Sequence, residues 1–249
     1  MDGRPLISVI TITYNAAETL PLTMESVAEQ TFRDFEHIVV DGASSDDTIS
    51  IARRMGRRDL RIISEPDDGL YDAMNKGLKT ARGRYLIFLN SGDRLHGPDA
   101  LQAYADAIEK RDPDIIYGET DIVDIEGKRI GPRHLSVPEI LTVDSFSKGM
   151  LICHQAFMVK KDIAPLYDTD YRFSADYDWC IRCIKASRAG DRLNLHRVTI
   201  DYLADGLTDR NKKASLMERF RIMSAHYGAM KAIAQHLSFI PRAIKRGKL

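Results

Sequence analysis

Cysteine is scarce in this chain: three in 249 residues, Cys153, Cys180 and Cys183. Three thiols do not make a disulfide framework, and they suit a reducing compartment. Cys180 and Cys183 form a lone C-x-x-C, but a zinc site needs four ligands and no second pair exists. The pair therefore reads as one face of a helix. Long apolar runs are also missing, and no stretch approaches the roughly 20 residues that a spanning helix needs. Leu6 to Tyr14 is apolar, yet it lacks a basic lead-in and a small-residue cleavage site, and Thr11 and Thr13 interrupt it. It does not read as a targeting signal, so a cytoplasmic protein is expected. Fixed-period repeats and low-complexity segments are absent. No G-x-x-x-x-G-K-[ST] occurs, which excludes a P-loop NTPase. A nucleotidyltransferase should carry a Gly-rich basic loop after its first strand, and Thr13-Tyr14-Asn15-Ala16-Ala17 is neither. Charge of one sign is missing too: 36 Lys and Arg balance 36 Asp and Glu. No nucleic-acid partner is expected.

That balance hides an asymmetry. From Arg210 to Leu249 ten Lys or Arg face one acid, Glu218, a local net charge of +9, which leaves the remainder at about −9. The expected organisation is a catalytic domain over residues 1–209 and a basic, amphipathic helical tail over 210–249. In the tail Leu216, Phe220, Met223, Tyr227, Met230, Ala234 and Leu237 recur at spacings of three and four, as on one amphipathic helix, with Pro241 ending or kinking it.

The first half alternates apolar β-rich runs with helical patterns. Leu6–Tyr14, Phe35–Asp41, Leu60–Ser64 and Tyr85–Leu89 read as strands. Ala17–Glu29, a segment capped by Ser45 or Asp46 and running to about Met55, and Tyr71–Ala81 read as helices. This alternation predicts an α/β fold, a mainly parallel twisted sheet with helices on both faces. The second half is less regular. Ile115–Ile125 carries β signals, Glu126-Gly127 reads as a turn and Val137–Val143 as a short helix. His154–Val159 reads as a strand, Ala175–Ala189 as a helix and Arg197–Leu203 as a strand.

In parallel sheets ligands bind at the carboxyl ends of the strands. Those ends are Thr13-Tyr14-Asn15, Asp41-Gly42, Glu65 to Gly69 and Asn90 to Asp93. Asp41 is placed to accept hydrogen bonds from a base or ribose; a plain turn acid is the bland alternative. Asp93 follows a small, flexible loop and suits a hard cation that borrows substrate phosphates, or else simply caps a turn. Asp176 and Asp178, two apart at a helix start, cannot share one helix face. One can face a cleft as a general base while the other braces it; favourable charge at a helix N-terminus explains both equally.

Together the segments resemble a known family. Ser8 to Asn15, Ile38 to Thr48, Ser64 to Gly77, Gly83-Arg84-Tyr85 with Phe88 to Asp93, His154-Gln155-Ala156-Phe157 and Ser174 to Trp179 resemble the family 2 glycosyltransferases in order and spacing. The closest look is to bacterial enzymes of colanic-acid, extracellular-polysaccharide and O-antigen assembly. The resemblance implies a GT-A fold, Rossmann-like, with nucleotide-sugar binding over about 6–125 and an acceptor part over about 126–209. It implies a nucleotide diphosphate-sugar donor, usually UDP-linked, a divalent metal (Mg²⁺ or Mn²⁺), and inversion at the anomeric carbon. By position, Thr13, Tyr14 and Asn15 would line the nucleotide pocket and Asp41 would contact the base. Asp68 and Asn75 would flank the nucleotide and diphosphate, with Ser91 and Gly92 beside the donor. Asp93 would hold the metal, Asp176 would be the general base, and His154 and Asp178 would serve the acceptor side. The acceptor would be a saccharide or an undecaprenyl-diphosphate-linked saccharide.

Asn90 and Gly92 stand where many members carry acids, and Met74 stands where an Arg is usual. Lys76 or Arg84 is a candidate to neutralise phosphates instead. Ala204 to Thr208 resembles a loop that closes over the donor. The tail is expected at an anionic membrane surface, on the inner face of the cytoplasmic membrane, or as a packing or homodimer contact. A non-catalytic sugar-nucleotide-binding or assembly protein is the alternative function.

Overall fold

The computed structural model describes residues 3–204 and 212–244, with side chains over 3–204 and 214–237. Strands β1 (Ile7–Thr13), β2 (Phe35–Asp41), β3 (Arg61–Ser64) and β4 (Tyr85–Phe88) pair in parallel in the order β3-β2-β1-β4. Every residue of β1, β2 and β4 is buried. Strands covered on both faces lose the apolar–polar alternation, which is why they read as continuous runs. The period of two survives in where side chains go. Val39 packs with Leu20 and Met24 of α1 (Leu20–Ala28) and Ile51 and Ala52 of α2 (Thr48–Met55). Ile38 and Val40 join the larger core with Met74 and Leu78 of α3 (Leu70–Thr80). Helix α3 sits so close to β1 that a Cβ on Gly77 would come within 2.5 Å of Ile10 Cγ2.

The second half extends the same sheet. Strands β5 (Arg94–Leu95), β6 (Ile115–Val123), β7 (Arg129–Pro132), β8 (Phe157–Lys160) and β9 (Arg192–Leu203) continue it as β4-β8-β6-β9-β5, with β7 on β6. Here β8 runs antiparallel to both β4 and β6, and β9 runs parallel to β6. The expected mainly parallel sheet is thus joined by antiparallel strands. Helix α4 (Ala100–Arg111), on which no expectation fell, buries Leu101, Tyr104 and Ile108.

Three expectations need correction. Val137–Val143 forms no helix; its carbonyls are taken from outside. The Tyr117 hydroxyl donates to the Pro138 and Glu139 carbonyls at 3.2 and 3.1 Å, and Arg192 donates to the Leu141 carbonyl at 3.0 Å. A 3₁₀ turn follows at Val143–Lys148, opened by reciprocal capping between Thr142 and Ser145. The strand expected from His154 starts later, at Phe157, because His154–Ala156 is a 3₁₀ turn. The single tail helix is two, α6 (Lys212–Tyr227) and α7 (Ala229–Ile244), broken at Gly228 with φ +87°. Pro241 does not end α7. The expected apolar stripe divides: Met223 is buried, while Leu216, Phe220, Met230 and Leu237 are exposed.

Helix α6 packs on α5 (Ala175–Ala186) and the segment before it. Glu218 accepts the backbone N–H groups of Arg172 and Phe173, each at 2.8 Å, and Ser215 meets Ser174 at 3.0 Å. Among the described residues no helix is long and apolar enough to cross a membrane.

Candidate active site

Register brings three strand ends to one level: Thr13 pairs with Asp41, and Asp41 with Ser64. Asp41 is fully buried. Its carboxylate accepts the Ser44 N–H at 2.9 Å, the Ser64 hydroxyl at 2.7 Å and the Ser44 hydroxyl. Asn15, at φ +45°, donates its N–H to Ser44 Oγ at 2.8 Å and accepts the Ser45 N–H on Oδ1 at 2.9 Å. The ring of Tyr14 beside it is 65% exposed. A Cβ on Gly42 would lie 2.5 Å from Asp67 Oδ2 and 3.2 Å from Tyr14 Cδ2, so glycine lets both groups close over the strand end. An exposed aromatic face beside carboxylates can stack a flat ring and accept its N–H groups. Asp67 was not singled out from the sequence, whereas Asp68, which was, is exposed on the surface. Thr13 Oγ1 is buried without a hydrogen-bond partner among the described residues.

The turn after β4 is held to its neighbours. Ser91 donates its N–H to the Ile12 carbonyl at 3.1 Å, and its hydroxyl meets Thr19 Oγ1 at 3.2 Å. Gly92 has φ +99° and donates its N–H to Thr23 Oγ1 at 2.9 Å; a Cβ there would press on Leu203 Cδ2 at 2.8 Å. Asp93 is buried, with Oδ1 accepting the Leu203 N–H at 2.9 Å and Oδ2 accepting the Gln155 amide. Gln155 in turn accepts the Cys153 thiol on Oε1 at 2.7 Å. Burial pushes the Asp93 carboxyl up to about 7, against the pull of the two hydrogen bonds.

Asp176 lies in the first turn of α5. Its Oδ1 accepts the Tyr71 hydroxyl at 3.1 Å and the Tyr177 N–H at 2.9 Å. Burial, and then the Asp176 carboxylate, hold the Tyr71 phenol well above its ordinary range, so it stays a donor. Asp176 Oδ2 accepts no hydrogen bond among the described residues and has His154 Nδ1 at 3.9 Å, beyond a hydrogen bond. His154 is buried, its Nε2 has no partner among the described residues, and burial lowers its pKa. Asp93 and Asp176 both act electrostatically on Cys153 and on Tyr202, so the two carboxylates share one neighbourhood.

Several expected roles do not fit where the side chains go. Both ends of the Asn75 amide are taken by the Tyr167 backbone, at 3.0 and 2.7 Å, which makes it a brace between α3 and that loop. Asp178 is buried between Arg182 at 2.6 Å and His226 of α6 at 2.7 Å, so its carboxylate ties α5 to the tail helix. Lys76 is engaged by Glu65 and Asp72, and Arg84 by Asp112, so neither is a free cation. Tyr71, which donates to Asp176, and Gln155, which donates to Asp93, were not singled out from the sequence. Residues 205–208 of the expected closing loop lie outside the described residues.

Among the described residues no three His, Cys, Asp or Glu side chains gather as an all-protein metal cage. A cation held by one or two protein oxygens plus phosphates asks for less. Asn90 Oδ1 is buried without a hydrogen-bond partner among the described residues, in the same turn as Asp93, whose N–H donates to the Asn90 carbonyl at 3.0 Å. Each Asp93 oxygen keeps a lone pair beyond its one hydrogen bond. The residues fit that smaller requirement.

Residues 8–164 match the profile of Glycosyl transferase family 2. The chain is 37% identical over 190 residues to a PGL/p-HBAD biosynthesis glycosyltransferase of Mycobacterium bovis (strain BCG / Pasteur 1173P2), across 73% of this chain and 70% of that protein. It is 33% identical over 192 residues to an uncharacterized glycosyltransferase of Methanocaldococcus jannaschii, across 73% of this chain and 65% of that one. Among solved structures it is similar to S. aureus TarS in complex with UDP-GlcNAc, with TM-score 0.70 and 18% identity, over 94% of this chain and 73% of that chain. It is also similar to the mannosyltransferase PcManGT from Pyrobaculum calidifontis in complex with GDP-Man and Mn²⁺, with TM-score 0.62 and 16% identity, over 96% and 76%. At such identities the solved structures speak to the fold.

Proposed function

The chain belongs to glycosyl transferase family 2, with the GT-A fold, and from that premise we propose that it transfers a sugar from a UDP-sugar to a saccharide or lipid-linked saccharide acceptor with inversion. Surface-polysaccharide assembly is the setting this reading implies. The observation that carries it is the state of Asp176: Oδ1 is pinned by two donors, and among the described residues Oδ2 accepts no hydrogen bond and stands beside His154. A carboxylate fixed on one oxygen and open on the other is oriented to take a proton.

In this reading Asp176 Oδ2 accepts the proton of the acceptor hydroxyl as that oxygen attacks the anomeric carbon. The nucleoside diphosphate leaves from the opposite face, and a single displacement inverts the centre without a covalent intermediate. Tyr14 stacks the base, and Asp41 and Asp67 accept from its edge. The Asn15–Ser44–Asp41–Ser64 network fixes these groups before the donor arrives, so less ordering remains to be done on binding. Asp93 and Asn90 are the residues that would hold Mg²⁺ or Mn²⁺. When bound, the cation would stabilise negative charge on the leaving phosphates as a Lewis acid. The neighbours' nucleotide sugars and Mn²⁺ are consistent with this assignment.

The exposed apolar residues Leu216, Met217, Phe220, Met230, Ile233 and Leu237, on helices that also carry cations, support contact with an anionic membrane that holds a lipid-linked acceptor. Co-sedimentation with anionic vesicles tests this; no binding at low salt rejects it.

The testing experiment for the reaction is turnover of a UDP-sugar panel with Mg²⁺ or Mn²⁺. Slow hydrolysis of one donor, selective by sugar, is expected even without an acceptor. A panel that is neither bound nor hydrolysed would favour a non-catalytic assembly protein.

A further inference from the structure

Arg133 follows β7, and its guanidinium lies against the backbone that leads into the His154 turn. Its Nη2 donates to the Met150 carbonyl at 3.1 Å and its Nη1 to the Leu151 carbonyl at 3.4 Å. Among the described residues no carboxylate lies within ion-pair distance of it. The other cations considered for the site are already paired: Lys76 at 3.2 and 3.4 Å, Arg84 at 2.7 Å. Arg133 is half-buried, so its charge is only partly screened. It acts electrostatically on His154, Cys153 and Tyr202, the neighbourhood shared by Asp93 and Asp176.

A partly buried guanidinium answered only by two carbonyl oxygens is undercompensated, and it suits an oxyanion better than any other partner because its planar fork matches phosphate oxygens. A second group nearby also lacks a partner: the buried His154, whose Nε2 meets no donor or acceptor among the described residues. Orphaned buried nitrogens carry a cost that a ligand would relieve. From these two we infer that Arg133 and His154 line a phosphate subsite beside the catalytic carboxylate, supplied from the β7–β8 side of the sheet. The inference rests on the glycosyltransferase reading above. The oxyanion belongs either to the donor's diphosphate or to a phosphate on the acceptor.

Calorimetric titration of the wild-type chain, Arg133→Gln and Arg133→Lys separates the sources. In the first arm UDP is titrated in Mg²⁺. In the second, glycerol phosphate is titrated into UDP-saturated protein. If the diphosphate is the source, Arg133→Gln weakens UDP at least about tenfold, the usual scale for a lost charge-assisted hydrogen bond, and Arg133→Lys recovers part of it. If the acceptor is the source, UDP is unaffected and glycerol phosphate binding disappears in Arg133→Gln. Arg133→Gln matching wild type in both arms, at an unchanged melting temperature, overturns the subsite. Should the wild-type chain bind no UDP, the donor reading fails instead, and glycerol phosphate titrated without nucleotide still tests Arg133.

Discussion

Tyr71→Phe removes one oxygen from the site and little else. The ring is 5% exposed and stacks on Tyr167 with centroids 5.7 Å apart, contacts that phenylalanine keeps. What goes is the hydroxyl donating to Asp176 Oδ1 at 3.1 Å. Hydrogen bonds to charged groups are worth about 1.5–3 kcal/mol. Here the Tyr177 N–H still holds the same oxygen, and Asp176 is partly solvated, with a side chain 22% exposed. About 1 kcal/mol is therefore a fairer figure for the orientation lost, which corresponds to roughly a fivefold drop in kcat. The loss should fall on kcat, because Tyr71 touches Asp176, the proposed base, and not the proposed nucleotide cradle of Asn15, Asp41 and Ser44. The assay is steady-state transfer, or donor hydrolysis if the acceptor is unknown, alongside UDP binding by calorimetry. Unchanged kcat would refute the orienting role. A drop explained wholly by weaker UDP binding would place Tyr71 in the donor site.

Three further outcomes follow from the same geometry. Asp93→Ala should abolish the Mg²⁺ or Mn²⁺ dependence of UDP binding; binding still stimulated by metal would place the cation elsewhere. Glu218→Ala strips the acceptor from the Arg172 and Phe173 N–H groups just ahead of α5. It should cost about 2 kcal/mol, lower the melting temperature by several degrees and reduce kcat, with UDP affinity kept; Glu218→Gln should recover part of the loss, and full activity in Glu218→Ala would reduce α6 to packing alone. His37 is buried against Thr11 at 3.0 Å, and burial, helped by Arg57, lowers its pKa from 6.5 to about 4. The unfolded chain then takes up a proton that the folded chain refuses between these values, so stability falls as pH drops through that window. The loss is about 3 kcal/mol, and His37→Gln should flatten it in denaturant melts at pH 4.5 and 7.

The parallel half of the fold was legible because strands buried on both faces write themselves as unbroken apolar runs, and Phe35–Asp41 is one of these from end to end. The shared level of Asp41 and the Thr13–Asn15 turn followed from topology, since a parallel sheet puts its strand ends at the same edge. The second half resisted because distant side chains decide its backbone. Tyr117 and Arg192 capture carbonyls at Pro138 to Leu141, and local pattern holds no trace of partners 21 and 51 residues away. Gly228 was a readable stop inside a stripe that otherwise kept its period, and the spacing alone concealed it. Asp178 looked like a second site acid, but what it meets is Arg182 and a histidine 48 residues on. Arg133 carries no local signal at all. Only the fold shows it beside the His154 turn with no carboxylate in ion-pair distance among the described residues.

The claim on which most depends is that Asp176 takes the acceptor proton. Asp176→Asn preserves the shape and the two donors to Oδ1 while removing the base. Single-turnover transfer measured together with UDP-sugar affinity should show a rate reduced at least about a hundredfold and a donor dissociation constant within about twofold of wild type. Transfer at the wild-type rate by Asp176→Asn would contradict the account.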